Sequence, residues 1–510
     1  MTGLGRTRAV ALVGMDAHVV EVEAHLAASV PGFTLVGLPD ASLAEARDRV
    51  RAAMTSSGLG WPQRRITVNL SPAGLPKAGP GFDLAIAVAT LAGAGVCDPE
   101  SVAAQVHLGE LGLDGRLRPV RGVLPAVVAA VQAGRHRVVV PAGNVDEARL
   151  VPGAQVAGAV SLAQVAAAHG AQVEVPAVDP VDPPRSPEDT PGGCDLTDVV
   201  GQATGRWALE VTAAGGHHLA LIGPPGSGKT MLASRLPGLL PDLDDAAAVE
   251  VTAVHSIAGT LDPGTGLMRR PPFEAPHHTA SAASVVGGGA GIPRPGAISR
   301  AHRGVLFLDE APEFAPAVLQ TLRQPLESGE LRLHRAAGTA RYPARVQLVL
   351  AANPCPCGNA VGKALDCTCT ALARRRYLSR LSGPLLDRVD LQLDVLPATR
   401  AERRAGARES SAVVAHRVAL ARDRARARFQ GTGWSTNSEA PGAWLRAHPP
   451  AGSAVRDLER ALDRGLLTMR GADRVLRVAW TLADLAGAGR PEQDHVAQAL
   501  ALRSRTAGPT

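Results

Sequence analysis

Lysine is almost missing from this chain. It occurs at Lys77, Lys229 and Lys363 only, and the other 50 of the 53 basic residues are arginine. Aromatic residues are scarce too, at 3%. With Ala, Gly, Pro and Arg abundant, this reads as a G+C-rich coding bias. No single arginine therefore carries functional weight by itself, whereas a lysine retained against the bias does. No uninterrupted apolar run is long enough to span a bilayer, so a membrane partner is not expected. The basic start MTGLGRTRAVALVGMDAH is broken by Asp16 after a few apolar residues, so a signal peptide is not expected either, and the cytoplasm is the default. Cysteine is sparse at six. Cys97 and Cys194 stand alone while the other four share one short stretch, which suits a metal site in a reducing compartment better than a disulfide framework. The net charge of +6 permits a polyanionic partner without requiring one.

What is present is ordinary globular material. With 510 residues, 45% of them hydrophobic and 20% charged, the chain should fold as an α/β protein of two to four domains. Residues 1–168 alternate strand-like segments (RAVALV, HVVEVEAHL, FTLVGL, RRITVNL) with helix-like ones at 41–58 and 82–95, and ELGLDGRLRPV reads as a hairpin around Asp114-Gly115. Residues 169–194 are rich in Pro and Asp and mark an extended linker. A second α/β unit is expected over 195–397 and a mostly helical one over 398–510.

The retained lysine sits in the most informative stretch. HHLALI (217–222) has a buried-strand pattern and runs into Gly223-Pro224-Pro225-Gly226-Ser227-Gly228-Lys229-Thr230, which opens the helix TMLASRL. That is a P-loop in the context that supports one, so these residues are expected to bind ATP. Glycines let the backbone wrap phosphates whose charge then faces amide N–H groups and a helix N-terminus. Lys229 places a compact point charge there, a role that the broad, planar guanidinium fork fits poorly. Thr230 offers a hydroxyl to Mg²⁺. About 80 residues on, GVLFLDEAPEF is an apolar strand ending in Asp309, a carboxylate for Mg²⁺, and Glu310, a base for the attacking water. VQLVLAAN ends a third strand on Asn353, which either orients that water between the two motifs or simply turns the chain.

Those three strands look like an AAA+ ATPase. The segments APHHTASAASVVGGG, IPRPGAISRAHRGVLFLDEAPEF, LRQPLESGELRLHRA, NPCPCG and RLSGPLLDRVDL closely resemble the magnesium-chelatase-like AAA+ proteins of the ComM/YifB family. The resemblance implies a P-loop domain with a parallel sheet, a helical C-terminal lid, and a ring, expected to be a hexamer, that moves forked or branched DNA independently of sequence. It implies an arginine finger acting on the neighbouring subunit, matched by Arg388 in the LLDR segment, and a sensor arginine at the start of a lid helix, matched by Arg470 with Arg474 as its rival. It also implies an inserted hairpin at VVGGGAGIPRPG. Independently, 330–346 reads as two strands around Ala337-Gly338, whose Arg332, Arg335 and Arg341 either touch phosphates or are ordinary exposed strand residues.

PAGLPKAGPGFDLAIA and GELGLDGRLRPVRGVLPA resemble the proteolytic domain of Lon. The place of Lon's serine is Gly81, and past the second segment, where Lon has its lysine, stand Leu124 and Ala126. Both halves of the dyad are missing, so the fold is expected without the peptidase. Lys77 matches a non-catalytic Lon position.

CPCGNAVGKALDCTC supplies Cys355, Cys357, Cys367 and Cys369, either a tetrahedral Zn²⁺ site or four reduced thiols; Lys363 within it is given no role. The arginine-rich run 400–429 scatters Arg422, Arg424, Arg426 and Arg428 around a helix, as on a solvated surface, and Arg374, Arg375 and Arg376 form a tighter cluster. With no aromatics between them, any DNA contact should be to phosphates and salt-sensitive. Three rivals remain to a DNA motor: a metal-chelatase ATPase, against which the N-terminal domain argues; a Lon-type protease, against which Gly81 argues; and a regulatory ATPase acting on protein partners.

Overall fold

The computed structural model of the protein describes all residues except 1–2, 39, 41–42, 44, 183–193, 290–292, 336–337, 361–365, 382, 405–407, 466 and 504–510. Lys363, Ala337 and residues 183–193 of the Pro/Asp-rich linker therefore lie outside the described residues.

The N-terminal region is built on a seven-stranded mixed sheet. Its order is Gly32–Val36, Arg65–Ser71, Asp16–Ala27, Gly3–Val13, Val106–His107, Arg137–Pro141 and Gln155–Ala159. Alternation fixes which face is buried: Val20, Val22, Ala24 and Leu26 point into the core while their neighbours face outward. The helix Asp83–Gly93 is buried at every position, as its apolar composition requires. The hairpin expected at Asp114-Gly115 forms between Glu110–Leu111 and Leu117–Arg118.

The second sheet has five strands, ordered Phe273–Glu274, Val305–Leu308, Gln347–Ala352, Leu219–Ile222 and Leu391–Asp394, and every pair is parallel. Their short apolar runs are buried throughout on the three central strands, as a parallel sheet covered on both faces demands. One face packs on the helices Ala203–Gly215, Ser411–Arg428 and Met469–Ala486 in a single apolar cluster that includes Leu209, Val418 and Trp480. The other packs on Ile298, Phe314, Val318 and Tyr342.

Two short hairpins stand beside this sheet. Gly287–Gly288 pairs with Arg294–Pro295, and Glu330–Arg335 pairs with Gly338–Pro343, which puts Arg332 opposite Arg341. The N-terminal region is seated on the second sheet's elements. Met15 N donates to Arg341 O at 3.0 Å, Gly122 N donates to Ser256 O at 3.2 Å, and Ser256 Oγ donates to the buried Glu147 carboxylate.

The arginines of 411–428 depart from the expected solvated surface. Arg422 donates Nε at 2.8 Å to Ala213 O, Arg417 grips Glu210, and Arg428 binds Asp484 while lying over the Trp480 ring at 4.4 Å. Arg424 reaches Asp484 O. Arg424 and Arg426 nonetheless stay exposed, as expected, Arg426 paired with Asp423 at 2.8 Å. The carbonyls and carboxylates that reclaim these guanidinia come from other helices, and no spacing within one helix reveals them.

Candidate nucleotide site

The parallel register puts the chemistry on one edge. Leu219–Ile222 lies between Gln347–Ala352 and Leu391–Asp394, with Ile222 level with Ala352. All the strands run the same way, so the loops after 222, 308 and 352 leave from the same edge of the sheet, where such folds bind ligands. A cleft of ≈440 Å³ opens there, lined by Pro225, Gly226, Gly228, Lys229, Thr230, Met231, Asp309, Glu310, Ala352 and Asn353.

The loop's shape follows from its glycines. Gly228 has φ +94°, a left-handed conformation that favours glycine, and it starts the helix Lys229–Ala233. At Gly223 the reason is space, since a Cβ there would lie 2.1 Å from Val395 O. Ser227 O accepts from Gln202 Nε2 at 3.1 Å, which ties the loop to the start of the helix Ala203–Gly215.

Lys229 is buried to 8% exposure and its ammonium donates to Gly223 O at 2.8 Å, Pro224 O at 3.0 Å and Asn353 Oδ1 at 3.2 Å. Burial lowers its pKa, and the charges of Asp309 and Glu310 oppose that shift. All three partners are neutral oxygens, so an anion can replace them without an ion pair being broken. Thr230 Oγ1 donates to Asp309 Oδ2 at 2.7 Å, which brings together the two oxygen ligands that a Mg²⁺–nucleotide needs from the protein. The set of amides, ammonium, hydroxyl and carboxylate fits ATP with Mg²⁺, the metal supplying charge neutralisation between the phosphates.

Glu310 follows Asp309 at φ +49° and its Oε2 lies 3.1 Å from Nδ1 of His278. His278 packs on His277 with ring centroids 4.1 Å apart. His278 was not singled out by sequence reasoning; the HH pair in APHHTASAA was the available signal. Gln202 left no signal at all.

Arg388 and Arg470 are not among the residues lining the cleft. Arg388 precedes the strand Leu391–Asp394 and donates to Glu327. Arg470 is exposed in the first turn of Met469–Ala486. Its rival Arg474 donates Nη1 at 2.6 Å to the buried Asp390, which also accepts from His218 N at 3.1 Å and approaches His217 Nδ1 at 3.5 Å. Burial opposes ionisation of Asp390, but the adjacent His217 ring and the Arg474 charge hold its carboxyl well below the usual range. Asp390 marks the starting edge of the parallel sheet, whereas the phosphate loop leaves the far edge. Four strand residues at ~3.3 Å each separate the two by roughly 13 Å. Arg474 thus anchors the helix Met469–Ala486 to the sheet.

The four cysteine sulfurs lie within 4.8 Å of one another, two residues beyond Asn353. Asn359 N–H pulls the Cys357 thiol down to about 6. No helix among the described residues is long and apolar enough to cross a membrane.

Three family profiles cover most of the chain: "Magnesium chelatase, subunit ChlI" at 195–403, "Subunit ChlI of Mg-chelatase" at 22–144, and "Magnesium chelatase, subunit ChlI C-terminal" at 408–503. Competence protein ComM of Haemophilus influenzae is 41% identical over 97% of this chain and 96% of its own length. The chain belongs to the ComM/YifB family of magnesium-chelatase-like AAA+ proteins. Membership in the ComM/YifB family implies ATPase activity, in agreement with the cleft. An uncharacterized protein of Mycobacterium tuberculosis is 53% identical over 98% of both chains. Lon protease 2 of Bacillus subtilis is 34% identical over 152 residues, 27% of this chain and 26% of its own, so the ComM/YifB architecture here includes a Lon-like region. At the place of Lon's serine, Gly81 stands in a short turn, and Leu124 and Ala126 are buried.

Proposed function

We propose that this protein is a ring-forming, Mg²⁺-dependent ATPase of the cytoplasm that drives branch migration or unwinding of forked or branched DNA in recombination or uptake of transforming DNA. The Lon-like region 1–168, without a peptidase dyad, is joined through a linker at 169–194 to a motor at 195–397 and a lid at 398–510. Residues 223–230 would cradle the phosphates, Thr230 and Asp309 would hold Mg²⁺, Asn353 would orient water and Glu310 would take its proton. The four cysteines would add a Zn²⁺.

One observation carries the ring. Arg388 stands at the starting edge of its own parallel sheet, opposite the edge from which its own phosphate loop leaves. A guanidinium so placed serves a γ-phosphate only if another subunit brings one to it, and six is the ring size expected of the family. Arg470, exposed on the lid, would take the sensor role. Support for DNA comes from the hairpins: Arg294, Arg332, Arg335 and Arg341 are all exposed there, with Arg332 paired to Glu330. Such contacts would read phosphates, not bases.

The deciding experiment measures ATP turnover with forked DNA, four-way junctions, single strands, porphyrin or unfolded protein present. Stimulation strongest with branched DNA and weakened by salt is expected. Stimulation by protein alone would favour a regulatory ATPase, and by porphyrin a chelatase motor. Arg388→Ala should cost ~10³-fold in turnover; a variant as fast as the parent would sink the shared site.

A further inference from the structure

Outside the cleft, the described residues offer one other convergence of metal-ligating side chains, the loop of Cys355, Cys357, Cys367 and Cys369. Cys355 Sγ lies 3.3 Å from Cys357 Sγ and 3.7 Å from Cys367 Sγ, and Cys357 Sγ lies 3.7 Å from Cys367 Sγ. None of these is a bonded pair. A tetrahedral Zn²⁺ with sulfurs at ~2.3 Å sets them ~3.8 Å apart, so the thiols stand close to the edges of that tetrahedron. Cysteines serving only as small apolar groups have no reason to converge four at a time.

The backbone supports the same geometry. Gly358 N donates to Cys355 O at 3.0 Å, closing a tight turn in which Gly358 takes φ +80°. An all-sulfur set selects Zn²⁺ and excludes Mg²⁺ and Ca²⁺.

The turn also leans on the phosphate loop. A Cβ on Gly358 would lie 2.5 Å from Cδ and 2.8 Å from Cγ of Pro225, so only a hydrogen fits between the cysteine turn and residue 225. Asn353 of the cleft and Cys355 are two residues apart on the same chain segment.

We propose that Cys355, Cys357, Cys367 and Cys369 hold a structural Zn²⁺, and that the metal-locked turn buttresses the phosphate loop at Pro225 so that zinc occupancy sets nucleotide affinity. Binding displaces whatever protons the thiols still carry, leaves a tetrathiolate centre of net charge −2 and changes no oxidation state. The metal assignment stands on the cysteines alone, whereas the effect on affinity rests on the nucleotide site proposed above.

Full-length protein, purified reduced and without a metal-affinity tag, should carry one zinc per chain, lost in Cys367→Ser. Co²⁺ in its place should show the charge-transfer and d–d absorption of a tetrahedral thiolate. Protein free of zinc and silent with Co²⁺ overturns the site. Fluorescent ADP titrated into the intact protein should bind about tenfold more weakly after zinc is stripped and regain its affinity when zinc is returned. Gly358→Ala, which keeps every ligand, should retain zinc yet weaken ADP by a similar factor, because the added methyl has no room against the Pro225 ring and must push the phosphate loop. Affinity unchanged in both arms overturns the buttress. Failure of the zinc-loaded parent to bind ADP strikes the nucleotide site and leaves the metal assignment to its own measurement.

Discussion

Lys229 and Lys77 are both withdrawn from solvent, at 8% and 1% exposure, yet they are held for opposite ends. Lys229 lines an open cleft, bonded to three neutral oxygens that an anion can displace. Lys77 donates to Pro72 O inside the Lon-like region, and its backbone is pinned on both sides by Leu38 and Asp40. Around Lys229 the neighbours bear chemistry: Thr230, Asp309, Glu310, Asn353. Around the old peptidase positions they do not, since Gly81 has no side chain and Leu124 and Ala126 are buried and apolar. A site is recognised by convergent polar groups with somewhere for a ligand to go, and a buried charge without that space is architecture.

The largest effect should come from exchanging the cation at Lys229. Lys229→Arg preserves charge but swaps a point ammonium for a broad fork in a pocket of three short contacts. ATP turnover should fall to background, a loss of at least ~10²-fold. Phosphate release together with fluorescent-nucleotide binding checks this. A variant of parental speed would mean that the coding bias alone explains the rarity of lysine.

Next comes Glu310→Gln, which keeps shape and the reach to His278 but removes the basic oxygen. Turnover should drop ~10²–10³-fold with ATP still bound, because general-base help contributes on that scale. Loss of binding together with turnover would reassign Glu310 to structure and blur the contrast between the two regions.

Most of the cleft was legible because local motifs specify it. A glycine-framed loop after an apolar strand, and acidic residues ending another, are patterns of adjacent residues. The register that sets Asn353 between them needs only the rule that parallel strands deliver their loops to one edge. What stayed hidden depends on distant partners. Arg474 and Arg470 look alike in RGADRVLRVAWTLADL, and only Asp390, 84 residues away, separates an anchor from an exposed side chain. Arg422 and Arg428 read as surface until Ala213 and Asp484 claim them. His278 needed the fold to bring it to Glu310.

A smaller effect should appear in both regions as acid. Burial, then the charge of His169, pushes His107 down to about 3; burial pushes His218 down to about 4 against the pull of Asp390. His107 is locked between Thr7 Oγ1 at 2.7 Å and His169 at 3.0 Å, while His218 Nδ1 accepts from Leu348 N at 3.0 Å. A depressed base binds fewer protons folded than unfolded. The stability it lends is therefore complete above the ordinary histidine range and lost as pH falls through 6.5 toward those values, at ~1.4 kcal/mol per pH unit for each ring. Denaturant midpoints at about pH 7.5 and about pH 5.5 should differ accordingly, and His107→Gln should flatten the N-terminal share of that slope. An unchanged slope would show that His107 carries no such linkage.

The smallest effect is expected at Lys77. Lys77→Met keeps the length and most of the volume of the side chain and removes a charge whose pKa burial already lowers. A buried ammonium with one carbonyl partner gains little over a well-packed apolar chain, so the change in stability should stay within ~1–2 kcal/mol of zero. ATP turnover should be unaltered, because nothing at the cleft touches this residue. Paired with Lys229→Arg, the variant makes the comparison exact in kind: one conservative change at each of two hidden lysines, with opposite consequences. Should Lys77→Met instead abolish turnover while the protein stays folded, the Lon-like region would have to act on the motor through its seat at Ser256 and Arg341, and its lysine would be part of the machine.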